Sequence, residues 1–239
     1  MKHHLWERIY IKETTSTNDE ALRLCTKSGQ FIVVQALKQT LGRGRRGRLW
    51  QSMEGNLFFS LALEFDVRKI GRLVILSALS MLKSIQQFLP AADIKCKWPN
   101  DILLNKKKVC GILLEKGEGN YIVVGIGVNI MHAPEIENAP YKVTSLYKEG
   151  GQVTADDFLE NYLKFFDTYL ENLQENGFND IHQQWLENVY NLGKEIVVKQ
   201  EHKEERGIFI GIDDEANLLL RQDLVTKKIF VGDVFYIEK

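Results

Sequence analysis

The spacing of hydrophobic and polar residues divides the first part of the chain into strand-like and helix-like segments. Apolar and charged residues alternate over residues 5–12, which predicts a strand with one buried face. Nearly continuous apolar runs at 31–37 and 56–63 predict two buried strands. Over residues 70–89 apolar side chains recur at helical spacing and Pro90 follows, so a long amphipathic helix is expected there.

A small polar segment after the first strand predicts the start of a helix. Thr17 and Glu20 have the spacing of a capping box, so we expect a helix that begins at Thr17 and continues through Cys25. Capping explains one hydroxyl group. Ser16, Thr17 and Asn18 are three consecutive small polar side chains, however, and together they can present donors and acceptors to a polar ligand.

The later part of the chain mixes one buried strand, two helices and a run of short strands. Residues 121–130 predict the buried strand, and because Gly125 and Gly127 lie two positions apart, they leave one face open for another group to pack against. Helices are predicted over 154–173 and 179–189. Short alternating segments separated by Gly, Asp and Asn turns then predict a small β-barrel that packs on the preceding domain.

Length and charge limit the class of protein. At 239 residues the chain can form one large and one small domain, which we place at residues 1–190 and 191–239. The 31 Lys and Arg residues nearly cancel the 32 Asp and Glu residues. A net charge of −1 argues against a general nucleic-acid or membrane-surface binder, so any charged ligand must be met locally.

Cysteine content and the N-terminal sequence bear on the compartment. The three cysteines, Cys25, Cys96 and Cys110, have no metal-ligand spacing, which favours reduced thiols. The N-terminus lacks the apolar core of a signal peptide, and no run is long and uncharged enough to cross a bilayer. We therefore expect a soluble cytoplasmic protein.

Positive charge is concentrated in one segment, residues 42–48, which we call the Arg/Gly loop. It holds four arginines and three glycines within seven residues. Glycine lets the backbone approach a ligand closely, and each guanidinium offers a fork of donors to phosphate or carboxylate oxygens. The loop therefore predicts an anion site that is ordered by its ligand. A solvated basic loop and an RNA-gripping Arg/Gly tract are the alternatives.

A second unusual segment surrounds Pro99. Proline favours an extended conformation at Trp98 and breaks strand pairing, so we expect a strand to be interrupted where Asn100 and Asp101 face a cleft. Residues 105–108 predict a turn between strands, with at most one of the turn lysines directed inward.

Five motifs occur in the order and at the intervals seen in biotin–protein ligases, a family that the chain resembles along almost its whole length. They are Thr15-Ser16-Thr17-Asn18; Gln39 with the Arg/Gly loop and Trp50; Lys97-Trp98-Pro99-Asn100-Asp101; Lys108 with Gly111-Ile112-Leu113-Leu114-Glu115; and Gly125-Ile126-Gly127-Val128-Asn129. Each motif is weak alone, whereas the ordered set is specific. The resemblance implies an α+β fold: a mixed β-sheet catalytic domain with flanking helices, the class II synthetase-like biotin–lipoate ligase fold, plus a small C-terminal SH3-like β-barrel.

The resemblance also implies a two-step reaction. Biotin carboxylate attacks the α-phosphate of ATP to give biotinyl-5′-AMP and pyrophosphate, and a lysine of an acceptor protein then attacks the mixed anhydride. The expected acceptor is the biotin carboxyl-carrier domain of a carboxylase. Because two anions must meet, cations are needed to offset their repulsion and to stabilise the transferring phosphoryl centre. The expected cofactors are ATP and Mg²⁺, with the ion held mostly by phosphate oxygens and water.

Residue roles follow from the resemblance position by position. The expected catalytic residues are Lys108, Arg43, Arg45 and Asp101, of which Asp101 is placed to influence Mg²⁺. The expected biotin-binding residues are Ser16, Thr17, Asn18, Gln39, Gly42, Arg43, Gly44, Arg45, Trp50, Lys108, Gly111, Gly125 and Gly127. The expected ATP-binding residues are Arg45, Arg48, Asn100, Asp101, Lys108 and Asn129.

Several expectations about partners remain open at the level of sequence. No helix-turn-helix precedes the first catalytic strand, so we expect an enzyme-only short form without DNA binding. A homodimer is compatible with the family. A lipoate–protein ligase, which shares the fold and the adenylate chemistry, is the close alternative. An RNA-binding module that uses the Arg/Gly loop is the alternative from another class, and the near-neutral charge argues against it.

Overall fold

Two β-sheets organise the part of the chain that the computed structural model describes, which is residues 4–25, 29–135, 142–200, 203–230 and 232–236. The larger sheet has seven strands in the order β1-β2-β3-β7-β6-β5-β4. Its elements along the chain are β1 (Trp6–Thr14), α1 (Thr17–Leu24), β2 (Phe31–Gln39), β3 (Leu57–Glu64), α2 (Ile70–Phe88), β4 (Ile94–Lys97), β5 (Asp101–Leu104), β6 (Lys107–Lys116), β7 (Tyr121–Val128), α3 (Ala155–Asn176) and α4 (Asn179–Asn188). The pair β1–β2 is parallel and the other pairs are antiparallel, so the sheet is mixed, as predicted.

The two faces of the large sheet are covered unequally. Side chains of α2, α3 and α4 pack on one face and form the main hydrophobic core. The short helix α1 covers part of the other face, where Ala21 packs with Ile32, Val34 and Val123. Because β3 and β7 are covered on both sides, their sequences are nearly continuously apolar. The predicted strands and the long helices are confirmed, with ends that differ by a few residues.

The predicted capping box is wrong. Helix α1 does begin at Thr17, but Ser16 occupies the N-cap position and makes no side-chain capping bond. Glu20 instead accepts a hydrogen bond from the hydroxyl of Thr14 at 3.1 Å. The hydroxyl groups of Ser16 and Thr17 therefore do not cap this helix, which leaves the polar segment available to the site described below.

The predicted interruption at Pro99 is a hairpin turn. Strands β4 and β5 are antiparallel neighbours, with Lys97 opposite Asp101, and residues 98–100 form the turn between them. The Trp98–Pro99 peptide bond is cis. The result still places Asn100 and Asp101 beside a cleft, but at the end of a hairpin and not in the middle of a broken strand.

The last part of the chain forms a separate antiparallel sheet. Its strands are β8 (Glu195–Lys199), β9 (Glu204–Ile212), β10 (Leu218–Gln222), β11 (Val225–Ile229) and β12 (Asp233–Tyr236), in the order β11-β10-β9-β8-β12. It packs against the larger unit, as predicted, because the indole of Trp98 donates to the carbonyl of Ala216 at 3.0 Å and Arg72 donates to that of Asp214 at 2.8 Å. These contacts fix the β4–β5 turn next to the second sheet. In the described ranges, no helix combines the length and the apolar character needed to span a bilayer.

Candidate active site

A cavity of about 1600 Å³ lies where the large sheet, the Arg/Gly loop, the β4–β5 turn and strand β12 meet. It collects side chains from motifs that are far apart in sequence. The predicted site residues that line it are Ser16, Thr17, Asn18, Gln39, Arg43, Gly44, Arg45, Arg48, Trp50, Asn100, Asp101, Lys108, Gly111, Gly125, Gly127 and Asn129. Gly42 lies just outside the lining, where its carbonyl accepts from the Trp50 amide at 2.8 Å and closes the neck of the loop.

One end of the cavity is a closed polar pocket at the start of α1. The side-chain oxygen of Gln39 accepts from the amide of Thr17 at 2.9 Å and from its hydroxyl at 3.1 Å. The Ser60 hydroxyl lies within hydrogen-bond distance of the Thr17 hydroxyl, at 2.7 Å, and of the Asn18 side-chain carbonyl oxygen, at 2.6 Å. The amide of Asn18 donates to Glu115 at 2.5 Å. These polar side chains are thus held in fixed orientations, and Ser16, Thr17 and Asn18 are buried.

Two of these supporting groups were missed by sequence reasoning. Ser60 is fully buried within an otherwise apolar strand, and a lone hydroxyl in such a run is a signal that could have been used. Glu115 ends the fourth motif, but nothing local to it indicates that its partners are Asn18 and Arg43.

The middle of the cavity is a slot floored by glycines. A Cβ atom built at Gly125 would overlap the amide of Asn18, and one built at Gly127 would overlap the indole of Trp50. Trp50 also lies against Gly111, where an added Cβ would be 2.9 Å from the ring. The indole therefore rests flat on the strands β6 and β7 and walls the slot. Within the described residues its buried N–H has no hydrogen-bond partner.

Replacing Gly127 with alanine is expected to disturb this slot. The added methyl group forces the Trp50 ring outward, at a cost of about 1–3 kcal/mol for overpacking, which corresponds to roughly five- to 150-fold weaker ligand binding. Titration calorimetry with the ligand proposed below measures the effect. The control is Ile122→Val at the far end of the same strand, which changes core packing outside the cavity. Unchanged affinity in Gly127→Ala would contradict the slot.

The opposite end of the cavity is dominated by Lys108. Its ammonium group lies 2.6 Å from the carboxylate of Asp101 and 5.5 Å from the centre of the Trp50 ring. Its side chain is 14% exposed, against 39% for Lys107, which pairs with Glu149, so Lys108 is the more buried of the two, although all three turn lysines line the cavity. Burial lowers the pKa of the nearby Lys97, and the charge of Asp101 partly offsets this effect.

The Arg/Gly loop reaches over the cavity and is held by carboxylates. Arg43 donates to Asp19 at 2.5 and 2.9 Å and to Glu115 at 3.1–3.2 Å, and these bonds raise its pKa. Arg45 donates to the side chain of Asn100 at 3.5 Å, and burial lowers its pKa. The Asp19 partner was not predicted. The charge of Arg43 is therefore already balanced by two carboxylates, whereas the side chain of Arg45 is more deeply buried in the cavity.

The remaining charges of the cavity favour an anion. Among the described lining residues the eight cationic side chains are Arg43, Arg45, Arg48, Lys97, Lys106, Lys107, Lys108 and Lys142, against the two carboxylates of Asp101 and Asp233. Asn129 adds a buried side-chain oxygen without a hydrogen-bond partner among these residues. A ligand that carries several negative charges and hydrogen-bond donors would match this end of the cavity.

The comparisons with known proteins all indicate the same family. The model of the biotin/lipoate A/B protein ligase family matches residues 7–129, and that of the biotin protein ligase C-terminal domain matches residues 192–236. A biotin–[acetyl-CoA-carboxylase] ligase of Paracoccus denitrificans is 36% identical over 237 residues, covering 95% of this chain and 99% of its own. The bifunctional ligase/repressor BirA of Bacillus subtilis is 31% identical, covering 98% of this chain and 74% of its own.

Solved structures give the same picture for the fold. The biotin protein ligase from Aquifex aeolicus in complex with biotin and ATP superimposes with a TM-score of 0.84 at 28% sequence identity, covering 95% of this chain and 97% of that one. The similarity includes both sheets, because nearly the whole of each chain is aligned.

Proposed function

Because the chain belongs to the biotin protein ligase family, we propose that it activates biotin with ATP and transfers the biotinyl group to a lysine of an acceptor protein. The observation that carries the proposal is the cavity itself. A closed polar pocket, a glycine-floored slot and a cationic end follow one another in a single space of about 1600 Å³. That order matches a molecule with a polar head, an apolar tail and a terminal carboxylate.

The polar pocket suits the ureido ring of biotin. An ureido group has two N–H donors and one carbonyl acceptor, and the fixed side chains of Ser16, Thr17 and Asn18 offer the complementary mixture. We assign Gln39 to the same group because it orients Thr17. We place the valeryl tail against the exposed side of the Trp50 indole, which covers Gly111 and Gly127, and next to Gly44 and Gly125, with Gly42 closing the neck of the loop.

The cationic end suits the reacting groups. The carboxylate of biotin and the triphosphate of ATP repel each other, and Lys108 is placed where the slot opens to the cationic residues. We assign Lys108 to the carboxylate and the α-phosphate, and Arg45 and Arg48 to the phosphates. Asn100 and Asn129 are assigned to the nucleotide, and the unpartnered oxygen of Asn129 supports that assignment.

The first step forms one bond and breaks another. A carboxylate oxygen of biotin bonds to the α-phosphorus while the bond to the pyrophosphate oxygen breaks, and pyrophosphate leaves with the electron pair. Negative charge builds on the transferring phosphoryl oxygens, and prearranged cations stabilise it because they need not reorganise. In the second step a neutral lysine amine attacks the acyl carbon, AMP leaves, and the amine loses a proton.

Magnesium fits this cavity as an ion that arrives with the nucleotide. The described residues contain no group of three or more potential metal ligands, and Asp101 is paired with Lys108. Mg²⁺ commonly keeps several waters and binds through phosphates with one or two carboxylates. Asp101 is therefore the residue that would approach the ion, which supplies positive charge to the phosphates when bound.

Lipoate is a poorer match to the same cavity. Its dithiolane ring has neither N–H nor carbonyl groups, so it would cover the polar side chains around Thr17 and Asn18 without forming any hydrogen bond to them. The relative from Paracoccus denitrificans and the solved structure from Aquifex aeolicus also carry the name of biotin ligases. The acceptor that best fits the family is a carboxylase carrier domain.

Ligand-dependent pyrophosphate release tests the proposal. The purified chain is incubated with ATP, Mg²⁺ and either biotin or lipoate, and pyrophosphate is measured. We expect release with biotin and not with lipoate, followed by labelling of a carrier domain that is lost when the acceptor lysine is replaced by alanine. Release with lipoate alone, or none with either acid, would contradict the proposed function.

A further inference from the structure

The Arg/Gly loop is tied to the second sheet through one residue, Asp233. Its carboxylate accepts from Arg46 at 3.3 Å, pairs closely with Arg48, and lies 3.6 Å from Arg45. Arg46 also donates to the carbonyl of Lys199 at 3.3 Å, and Arg45 donates to that of Gly232 at 3.2 Å. Three of the four loop arginines thus dock on strands β8 and β12, more than 150 residues away in sequence.

The second sheet holds Asp233 in place independently of the Arg/Gly loop. Strand β12 is at the edge of the second sheet, with Asp233 opposite Lys199 on β8, and the neighbouring Val234 is buried. The Asp233 side chain is only 15% exposed and lines the cavity. A carboxylate held on a strand at the rim of the site can set where flexible arginine side chains lie.

Asp233 neutralises only part of the positive charge at this contact. One carboxylate meets three guanidinium groups, so the cluster keeps an excess of about two positive charges at the point where the cavity opens. Without Asp233 the three groups would repel one another and a loop with three glycines would have little to hold them together. With it, they are gathered in one place but remain attractive to a more highly charged anion.

We propose that Asp233 is a positioning residue that holds the loop arginines over the cavity, so that the second sheet sets the affinity for the triphosphate. This rests on the proposed function for the identity of the anion. Arg46 keeps its contacts with Asp233 and the Lys199 carbonyl and so anchors the loop, while Arg45 and Arg48, gathered beside it, turn to the phosphates. The residue acts through the arginines and makes no contact with the reacting atoms.

Protease sensitivity tests the positioning without any ligand. Trypsin cleaves after arginine, so cleavage within residues 43–48 of the ligand-free protein reports how firmly the loop is held. We expect Asp233→Asn to be cleaved there roughly tenfold faster, since each lost ion pair releases part of the loop, and Asp233→Glu to be intermediate. The matched control, Asp214→Asn, changes an exposed aspartate in a turn of the same sheet and is expected to behave as the unaltered protein.

Steady-state kinetics test the consequence for ATP. Asp233→Asn is expected to raise the KM for ATP about tenfold in pyrophosphate release, with kcat within about twofold, because the binding-competent arrangement becomes rarer while the reacting groups are unchanged. A lower KM would mean that Asp233 competes with phosphate, and unchanged KM and cleavage would mean that it has no role. Either result overturns the proposal.

A second variant distinguishes the loss of the contact with Asp233 from a folding defect in strand β12. Arg46→Gln removes one loop partner of Asp233 and leaves the second sheet intact, so it is expected to speed cleavage after Arg45 and Arg48 and to raise the KM in the same direction. Thermal unfolding of each variant is measured in parallel. If the unaltered protein releases no pyrophosphate but the variants are cleaved as expected, the proposed function fails while the positioning by Asp233 stands. If the unaltered protein is active but Asp233→Asn is cleaved no faster than it, the positioning by Asp233 fails while the proposed function stands.

Discussion

Replacing Lys108 with alanine is expected to lower the rate of the first half-reaction by roughly a hundred- to a thousandfold, the cost of removing one prearranged group that stabilises a transition-state charge. Lys108 is enclosed, lies 2.6 Å from Asp101, and stands where the glycine-floored slot opens to the cationic residues. Its loss removes the positive charge nearest the reacting carboxylate and leaves the carboxylate of Asp101 uncompensated. Pyrophosphate release at saturating biotin and ATP measures this step.

The second half-reaction separates a chemical role from a general defect. Supplied with preformed biotinyl-5′-AMP, Lys108→Ala should transfer biotin to the carrier domain much less impaired, because no phosphoryl charge has to be stabilised in acyl transfer. The control is Lys116→Ala, an exposed lysine on the same strand outside the cavity, for which both rates should be unchanged. Equal losses in the two half-reactions of Lys108→Ala would count against the assignment.

Replacing Arg45 with glycine is expected to turn a retained intermediate into a released one. Arg45 reaches from the loop to Asn100 and Gly232 and so lies across the cationic end of the cavity. Without it the loop loses its contact across the opening, and we expect biotinyl-5′-AMP to leave roughly a hundredfold faster, about 2.7 kcal/mol of lost retention. The freed anhydride then labels lysines of bystander proteins.

Two readings report this effect. Rapid filtration of protein loaded with labelled biotin and ATP gives the release rate, and labelling of an unrelated protein present in excess gives the loss of selectivity. Arg45→Lys keeps the charge without the planar fork of donors and should fall between the two proteins. Tight retention together with clean labelling of the carrier domain in Arg45→Gly would show that the loop does not act as a lid.

The residues that line the cavity could be predicted from the sequence because they belong to motifs with a characteristic order and spacing. The glycines of β7 leave room that a Cβ would fill, and the ordered motifs around Ser16, Lys108 and Asn129 all reach the same space. Long helices such as α2 were also predictable, since a periodic apolar face of nineteen residues is hard to mistake.

The parts that sequence reasoning missed depend on the topology of the sheets. Asp233 lies 185 residues after Arg48, and nothing near either residue indicates that strand β12 returns to the loop. Asp19 and Glu115 were likewise missed as partners of Arg43, because ion pairs between distant segments leave no periodic pattern. The capping box failed for a related reason: Glu20 has a better partner in Thr14, on the preceding strand, than the helix start offers.

An electron-density map of crystals grown with biotin and a non-hydrolysable ATP analogue tests the proposed arrangement of the two substrates. We expect the ureido ring against Ser16, Thr17 and Asn18, the tail against the Trp50 indole, and the carboxylate facing the α-phosphate within reach of Lys108. Density for biotin outside this cavity, or a nucleotide bound away from Lys108 and Arg45, would contradict it.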